Sequence, residues 1–223
     1  MKHALKYPST PYLPWSPTVS KDSYVLPRQH AMLGKQVVVT EKMDGENTSI
    51  YNDGVHARSL DGRTHSSRSW VKQLQAQIGY QLPDGLRLCG ENLYAQHSIR
   101  YDELDSYFYL FSVWENRRCL SWNDTLSWAD RLGLAMPPVL YEGLWDEKAL
   151  QALIVNTASS EGYVVRLREA FLYQDFASSI AKWVRAGHVQ TDDHWMFQEV
   201  VPNQLREDSE DAVFDNSSDN GST

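Results

Sequence analysis

The spacing of hydrophobic residues along the chain predicts short strands interleaved with a few helices. Residues 36–41 form a β-branched, apolar run that is typical of a buried strand. Residues 47–51 and 55–59 flank the turn sequence NDG at 52–54, which favours a tight β-hairpin. Further strands are predicted at residues 86–89, 107–114, 162–167 and 180–185.

Helical spacing occurs in three places. Apolar residues recur every four positions within residues 66–79, between serines that can cap a helix and a glycine that can end it. Two more helices are predicted at residues 122–132, closed by Gly133, and at residues 146–158. Because the hairpin argues against a purely parallel sheet, we predict an α+β fold.

The charge of the chain is unevenly distributed. The 223 residues carry a formal net charge of −8, but residues 207–223 hold six acidic residues and no lysine or arginine. Without that segment the charge is about −2, which is compatible with a local basic groove for a polyanion. The acidic segment is also poor in apolar residues, so we predict that it is disordered.

The same patterns divide the chain into three parts. Four prolines among aromatic residues at positions 8–17 predict an extended arm lying on the body of the protein. We therefore predict an N-terminal arm (residues 1–35), one folded domain (residues 36–206) and a disordered acidic tail (residues 207–223).

Several protein classes are excluded by what the sequence lacks. Two cysteines are too few for a disulfide-stapled scaffold or a four-cysteine zinc module. Neither G-x-G-x-x-G nor G-x-x-x-x-G-K-[ST] occurs, so no Rossmann or P-loop phosphate site is expected. No apolar run approaches the roughly 20 residues of a membrane-spanning helix, and the N-terminus lacks the apolar core of a signal peptide. We expect a cytoplasmic monomer without membrane contact.

The heptapeptide EKMDGEN at residues 41–47 is the strongest candidate for chemistry. Lys42 ends the predicted apolar strand, and Asp44 and Gly45 follow at a turn. A lysine amine becomes a nucleophile when desolvation or nearby positive charge lowers its pKa. The neighbouring carboxylates could hold a metal ion beside it. Alone, such a tetrapeptide is weak evidence, because this sequence at a hairpin mouth is usually an ordinary turn.

The K-x-D-G sequence at residues 42–45 resembles the nucleophile motif of the covalent nucleotidyltransferases, which include DNA ligases, RNA ligases and mRNA capping enzymes. Further segments resemble the later motifs of that family in the same order. They are residues 88–93 with Glu91, 109–114 with Phe111, 161–166 with Glu161, and 181–185 with Lys182. The resemblance spans residues 36–195, and the ordered set is far more specific than any single motif.

Two features are similar to the RNA ligase 2 type branch of this family. Asn47 stands where DNA ligases and capping enzymes usually carry arginine, and the 41 residues after Lys182 are too few for their OB domain. The family commonly has two lysines in the last motif, whereas here Ile180 or Val184 occupies the partner position. The resemblance implies a minimal RNA ligase with a nucleotidyltransferase domain, in which antiparallel sheets flanked by helices surround an AMP pocket.

The resemblance also implies a reaction and its residues. Lys42 would attack the α-phosphorus of ATP to form lysyl-AMP, AMP would pass to an RNA 5′-phosphate, and an RNA 3′-hydroxyl would displace it. The implied catalytic residues are Lys42, Asp44, Glu91, Glu161 and Lys182. The implied nucleotide-binding residues are Glu41, Lys42, Met43, Asn47, Glu91, Phe111, Glu161 and Lys182. Mg²⁺ or Mn²⁺ would be held by Asp44, Glu91 and Glu161 through waters.

The implied partner is RNA with 5′-phosphate and 3′-hydroxyl ends, which a separate end-healing enzyme could supply. Arg58, Arg63, Arg68 and Arg185 are the predicted RNA contacts, although a solvated cluster at a helix start explains the first three equally well. Phe111 is predicted to stack on adenine, with packing in the core as its alternative.

Two other functions stay open. One is a GTP-dependent, capping-type guanylyltransferase, against which Asn47 and the short C-terminal region argue. The other is a non-catalytic RNA- or nucleotide-binding module derived from a ligase. Retention of the nucleophilic lysine argues against a binding module, because binding alone does not need it.

Overall fold

The computed structural model describes residues 4–19, 24–60, 65–187 and 200–206. In this part of the chain, ten strands form two antiparallel sheets, and four short helices pack beside them. The strands are β1 (Gln36–Lys42), β2 (Glu46–Tyr51), β3 (Gly54–Ala57), β4 (Leu86–Asn92), β5 (Phe108–Glu115), β6 (Arg118–Cys119), β7 (Val139–Leu144), β8 (Gly162–Leu167), β9 (Phe171–Leu172) and β10 (Ile180–Val184). The helices are α1 (Ser69–Ile78), α2 (Trp122–Leu132), α3 (Glu147–Gln151) and α4 (Phe176–Ser179). The predicted α+β fold with antiparallel sheets is confirmed.

The first sheet has the strand order β10-β8-β1-β7. Its inner strand β1 carries Val37, Val38 and Val39, which are all fully buried and suit a pleated surface covered on both faces. The pairing of β1 with β8 places Lys42 opposite Gly162. The sheet register therefore fixes the position of the candidate nucleophile.

The second sheet has the strand order β3-β2-β4-β5-β6-β9. Strands β2 and β3 form the predicted hairpin, with Tyr51 paired to Gly54 across the turn. The pairing of β2 with β4 sets Asn47 opposite Glu91. Two candidate site residues that lie far apart in sequence are thereby neighbours in the sheet.

The helices begin and end where local chemistry dictates. The Ser121 side chain caps α2 by accepting a hydrogen bond from the Asp124 backbone amide at 3.1 Å. Gly133 ends α2 in the left-handed conformation, at a φ of 63°. Helix α1 packs beneath the second sheet, where its Val71 and Ile78 are buried in an apolar cluster. The predicted helix at 122–132 therefore has the bounds that its caps indicate.

The structure differs from the sequence predictions in the length of one helix and in four elements that were not predicted, namely β6, β7, β9 and α4. The helix predicted at residues 146–158 is shorter, since α3 ends at Gln151. The β-branched run and the Asn-Thr pair that follow favour an extended chain, and Ile154 is 96% exposed there. Strand β7 was not predicted, because its residues are mostly half-exposed and lack a clear apolar alternation.

The N-terminal segment lies against the edge of the first sheet. Tyr12 and Leu13 are fully buried. The Leu13 amide donates to the Lys182 carbonyl at 2.7 Å, and the Lys182 amide donates to the Pro11 carbonyl at 2.8 Å. Trp15 Nε1 also donates to the Tyr163 hydroxyl at 2.8 Å. The segment thus continues the sheet beyond β10, while the exact division at residue 35 stays a prediction.

The described C-terminal residues 200–206 pack on the loop that precedes β5. Asn203 is 2% exposed, and its side chain accepts from the Tyr101 amide at 2.9 Å and donates to the Leu93 carbonyl at 2.7 Å. The predicted disordered tail, residues 207–223, lies outside the described residues. Among the described helices, none has the length and apolar character needed to cross a membrane.

Candidate active site

A cavity of about 620 Å³ opens between the two sheets. It is bounded by the end of β1, the start of β2, parts of β4 and β5, and residues of β8 and β10. Seven of the eight predicted nucleotide-binding residues line it, namely Glu41, Lys42, Met43, Asn47, Glu91, Phe111 and Lys182. The eighth, Glu161, lies behind Lys42 and contacts its side chain. The structure therefore brings the whole predicted set to one place.

Lys42 and Glu161 form an ion pair at the base of the cavity. The Lys42 side chain is 18% exposed and that of Glu161 is 3% exposed, and Lys42 Nζ donates to Glu161 Oε2. The Glu161 amide also donates to the Lys42 carbonyl at 3.2 Å, and its carbonyl accepts from the Arg185 amide at 3.0 Å. Backbone contacts on both sides thus hold the carboxylate against the amine.

The electrostatics of the cavity are dominated by clustered carboxylates. Burial alone would lower the pKa of Lys42, but the nearby carboxylates of Glu161 and Glu91 outweigh it and raise that pKa. Desolvation raises the pKa of Glu91 to about 8, opposed by Lys42 and reinforced by Glu161. Burial also raises the pKa of Glu41. The lowered lysine pKa expected of a nucleophile is absent here, because the anionic neighbours stabilise the ammonium form.

Asp44 holds the turn after β1 rather than lining the cavity. Its Oδ2 accepts hydrogen bonds from the Ser98 amide at 2.8 Å, the Ser98 hydroxyl at 2.6 Å and the Ile99 amide at 2.9 Å. The next residue must be glycine, since a Cβ on Gly45 would lie 2.5 Å from the Asn92 carbonyl oxygen. The D-G pair therefore shapes the turn that follows Lys42.

Asn47 presents an unpartnered acceptor beside the cavity. Its Oδ1 is buried and has no hydrogen-bond partner, although the residue lines the cavity wall. Buried polar atoms in native proteins are almost always hydrogen-bonded, so an orphaned acceptor at a cavity indicates a site for a ligand donor. A ribose hydroxyl or the amino group of a base supplies such a donor.

Phe111 and Lys182 both line the cavity. Phe111 is partly buried and packs edge-on against Tyr7, with their ring centroids 5.6 Å apart. It therefore both contacts the core and faces the cavity, and the stacking role stays a prediction. Lys182 lies on β10, with its Nζ 4.2 Å from the centroid of the Tyr12 ring.

The four predicted RNA-binding arginines lie in different environments. Arg68 is 6% exposed and forms a bidentate ion pair with Glu46, with Nε–Oε2 at 2.8 Å and Nη2–Oε1 at 2.5 Å. Arg58 lines the cavity, donates through Nη2 to the Ser9 hydroxyl and has a buried, unpartnered Nε. Arg185 also has an unpartnered Nε. Arg63 lies outside the described residues.

Sequence reasoning missed the contribution of the N-terminal arm to the site. Lys6, Tyr7, Pro8 and Thr10 line the cavity. The Ser98–Tyr101 loop was also missed, although the Tyr101 hydroxyl accepts the Asp44 amide at 2.9 Å. These residues belong to no motif and reach the site only through the fold. The density of aromatic residues near the N-terminus was the one available signal.

Comparison with known proteins identifies the family. A model of the RNA ligase family matches residues 35–184, and the chain belongs to that family. No curated protein matches the sequence significantly. The predicted family is therefore confirmed by the family match.

Two solved forms of an archaeal RNA ligase show the same fold. An archaeal ATP-dependent RNA ligase, in two forms, matches with TM-scores of 0.54 and 0.52 at 19% identity, over 80% of this chain and 48% of that chain. A Naegleria gruberi RNA ligase with ATP and Mn has a TM-score of 0.49 at 17% identity, over 69% of this chain and 50% of that one. This chain thus spans about half the length of these ligases.

Proposed function

We propose that the protein is an ATP-dependent RNA ligase that works through a lysyl-AMP intermediate on Lys42. The observation that supports this most strongly is the placement of Lys42 at the base of a nucleotide-sized cavity, against Glu161 and near Glu91. Phe111 and Lys182 line the same cavity, where an adenine ring and phosphates would lie.

The first step is a displacement at phosphorus. The neutral Lys42 amine attacks the α-phosphorus of ATP, a nitrogen–phosphorus bond forms, and pyrophosphate leaves with the electron pair of the broken phosphorus–oxygen bond. The amine must first lose the proton that its carboxylate neighbours now stabilise, and Glu161 is in direct contact to accept it. Lys182 supplies positive charge for the phosphates, since positioning and charge neutralisation dominate such reactions.

The donor set also fits a hard divalent cation that is shared with phosphate oxygens. Among the described residues, no three His, Cys, Asp or Glu side chains are grouped so as to hold a metal ion by themselves. We assign Mg²⁺ or Mn²⁺ to Glu91 and Glu161, through waters and together with ATP, and give Asp44 the role of positioning the lysine loop. The cation would supply positive charge that neutralises the carboxylates and the phosphates.

The later steps require RNA ends. AMP passes from Lys42 to an RNA 5′-phosphate, and an RNA 3′-hydroxyl then displaces it. Of the three described arginines that were predicted to bind RNA, Arg58 and Arg185 are best placed to contact RNA or its phosphate, because each is partly exposed and has a guanidinium nitrogen without a protein partner. We further infer a monomer that acts in the cytoplasm on ends prepared by an end-healing enzyme.

The decisive experiment is covalent labelling with α-labelled ATP or GTP, followed by a denaturing gel. Label from ATP is expected on the wild-type protein and absent from Lys42→Ala, because only a primary amine here can form the phosphoramidate. Lys42→Arg keeps a positive charge beside Glu161, yet it should be equally inactive since guanidinium stays protonated.

One control variant and three alternative outcomes make the labelling result interpretable. Lys72→Ala removes an exposed lysine of α1 and should label like the wild type. Label retained on folded Lys42→Ala would refute the assignment of the nucleophile. Transfer from GTP instead of ATP would favour the capping-type alternative, and nucleotide binding without any label would favour the non-catalytic module.

A further inference from the structure

The N-terminal arm contacts the candidate site at Lys182 through both a side chain and the backbone. Tyr12 is fully buried, and its ring lies beneath the Lys182 ammonium, with Nζ 4.2 Å from the ring centroid. A cation held over an aromatic face at this distance is attracted by the ring quadrupole. Tyr12 itself lies outside residues 35–184, the segment that matches the RNA ligase family.

The backbone of the arm holds the same lysine. The Lys182 amide donates to the Pro11 carbonyl at 2.8 Å, and the Lys182 carbonyl accepts from the Leu13 amide at 2.7 Å. The two residues that flank Tyr12 therefore pair with both backbone groups of Lys182. A long, flexible lysine side chain loses much rotamer freedom when it is held, so an arrangement that holds it beforehand lowers the cost of placing the ammonium against the phosphates as pyrophosphate leaves.

The sequence of β10 makes this support more important. Ile180 is buried in the core, and Val184 is also buried, so neither flanking position adds a second cation to the cavity. Lys182 must therefore supply, as a single lysine, the positive charge that β10 contributes to the ATP phosphates. We propose that Tyr12 is a positioning residue, which holds the Lys182 ammonium toward the ATP phosphates during transfer of AMP to Lys42. This inference rests on the proposed ligase function.

The test compares the rate of lysyl-AMP formation at saturating ATP in variants of position 12. Tyr12→Phe keeps the ring and should react within about 2-fold of the wild type. Tyr12→Leu removes the ring and should react roughly 3- to 30-fold more slowly, the range expected for losing a desolvated cation–π contact. The KM for ATP should change less than the rate, if Lys182 acts mainly as charge moves to the leaving pyrophosphate.

Because Tyr12 is fully buried, a second variant is needed to distinguish loss of the cation–π contact from misfolding. Replacing Tyr12 with pentafluorophenylalanine nearly preserves the shape of the ring but reverses its quadrupole, so the slow reaction of Tyr12→Leu should be reproduced in a stable protein. Trp15→Leu is the matched control, because Trp15 belongs to the same arm but contacts Tyr163 and Trp145. It should lower thermal stability and leave the labelling rate close to wild type.

A double-mutant cycle assigns the effect to the lysine. In a Lys182→Met background, Tyr12→Leu should cause no further loss of rate. The inference is overturned if folded Tyr12→Leu or the fluorinated variant reacts at the wild-type rate, if Tyr12→Phe is as slow as Tyr12→Leu, or if the loss persists with Lys182→Met. Absence of label on the wild-type protein would instead refute the proposed function, and this inference with it.

Discussion

The replacement Arg68→Met tests whether Arg68 stabilises the fold or contacts RNA. Arg68 was predicted to bind RNA, yet its side chain is only 7% exposed. Its guanidinium forms an ion pair with Glu46, whose side chain is 10% exposed. Removing one partner of a buried pair leaves an uncompensated charge and typically costs about 3–5 kcal/mol. For a chain of this size each kcal/mol lowers Tm by roughly 2–4 °C, so we expect a fall on the order of 10 °C.

The assay is thermal unfolding combined with RNA binding over a range of salt concentrations. Glu46→Gln in the Arg68→Met background removes the stranded carboxylate and should restore part of the stability. Arg100→Met is the matched control, because its ion pair with Asp102 at 2.6 Å is exposed at 61% and 55% and should contribute at most about 1 kcal/mol.

The alternative outcome is equally clear. If Arg68 contacted an RNA phosphate, Arg68→Met would keep its Tm, bind RNA more weakly and show a salt slope smaller by about 1. That combination of results would refute the structural role of the Glu46 pair. It would also return Arg68 to the RNA surface that the sequence predicts.

Three further predictions concern other parts of the molecule. Phe111→Ala should raise the KM for ATP roughly 10-fold or more, from about 1–3 kcal/mol of lost stacking, while Phe111→Tyr should be nearly silent. Gly162→Ala should lower Tm clearly more than Gly34→Ala. A Cβ on Gly162 would lie 2.0 Å from the Trp183 carbonyl oxygen, whereas a Cβ on Gly34 would have no heavy atom within 4 Å. Deleting residues 207–223 should leave Tm and labelling unchanged and tighten RNA binding at low salt, measured as Kd.

Seven of the ten described strands were predictable, because their signals are local. The residues that determine an element lie within it or directly beside it in three cases: the apolar run of β1, the hairpin turn after β2, and helix α2 with its cap and closing glycine. Strand β7 carries no such signal. It is defined by its pairing with β1, which runs from Gln36 opposite Leu144 to Thr40 opposite Val139. Half-exposed edge strands of this kind follow from tertiary contacts and not from their own residues.

The candidate site was predictable only where a motif carries the chemistry. Lys42, Glu91 and Glu161 stand in recognisable segments, so their convergence on one cavity could be expected. The ion pair that buries Arg68 could not, because its partner Glu46 is 22 residues away and reaches it only in the folded sheet. The contact between Tyr12 and Lys182 could not be predicted either, because a buried aromatic residue in the N-terminal arm does not indicate which lysine packs on its ring.

The precision of the site depends on strand register more than on any single contact. Lys42 is held opposite Gly162 in one sheet, and Asn47 opposite Glu91 in the other, while only the short turn at Asp44 joins the two sheets there. A one-residue slip in either pairing would turn every side chain of that strand to the opposite face. A slip of β1 is opposed by its fully buried Val37–Val39 run, whose side chains would have to leave their positions in the core. The core of β1 therefore supports the position of Lys42, the proposed nucleophile, so cavity-forming changes in those valines should slow the proposed transfer of AMP to Lys42 before they unfold the protein.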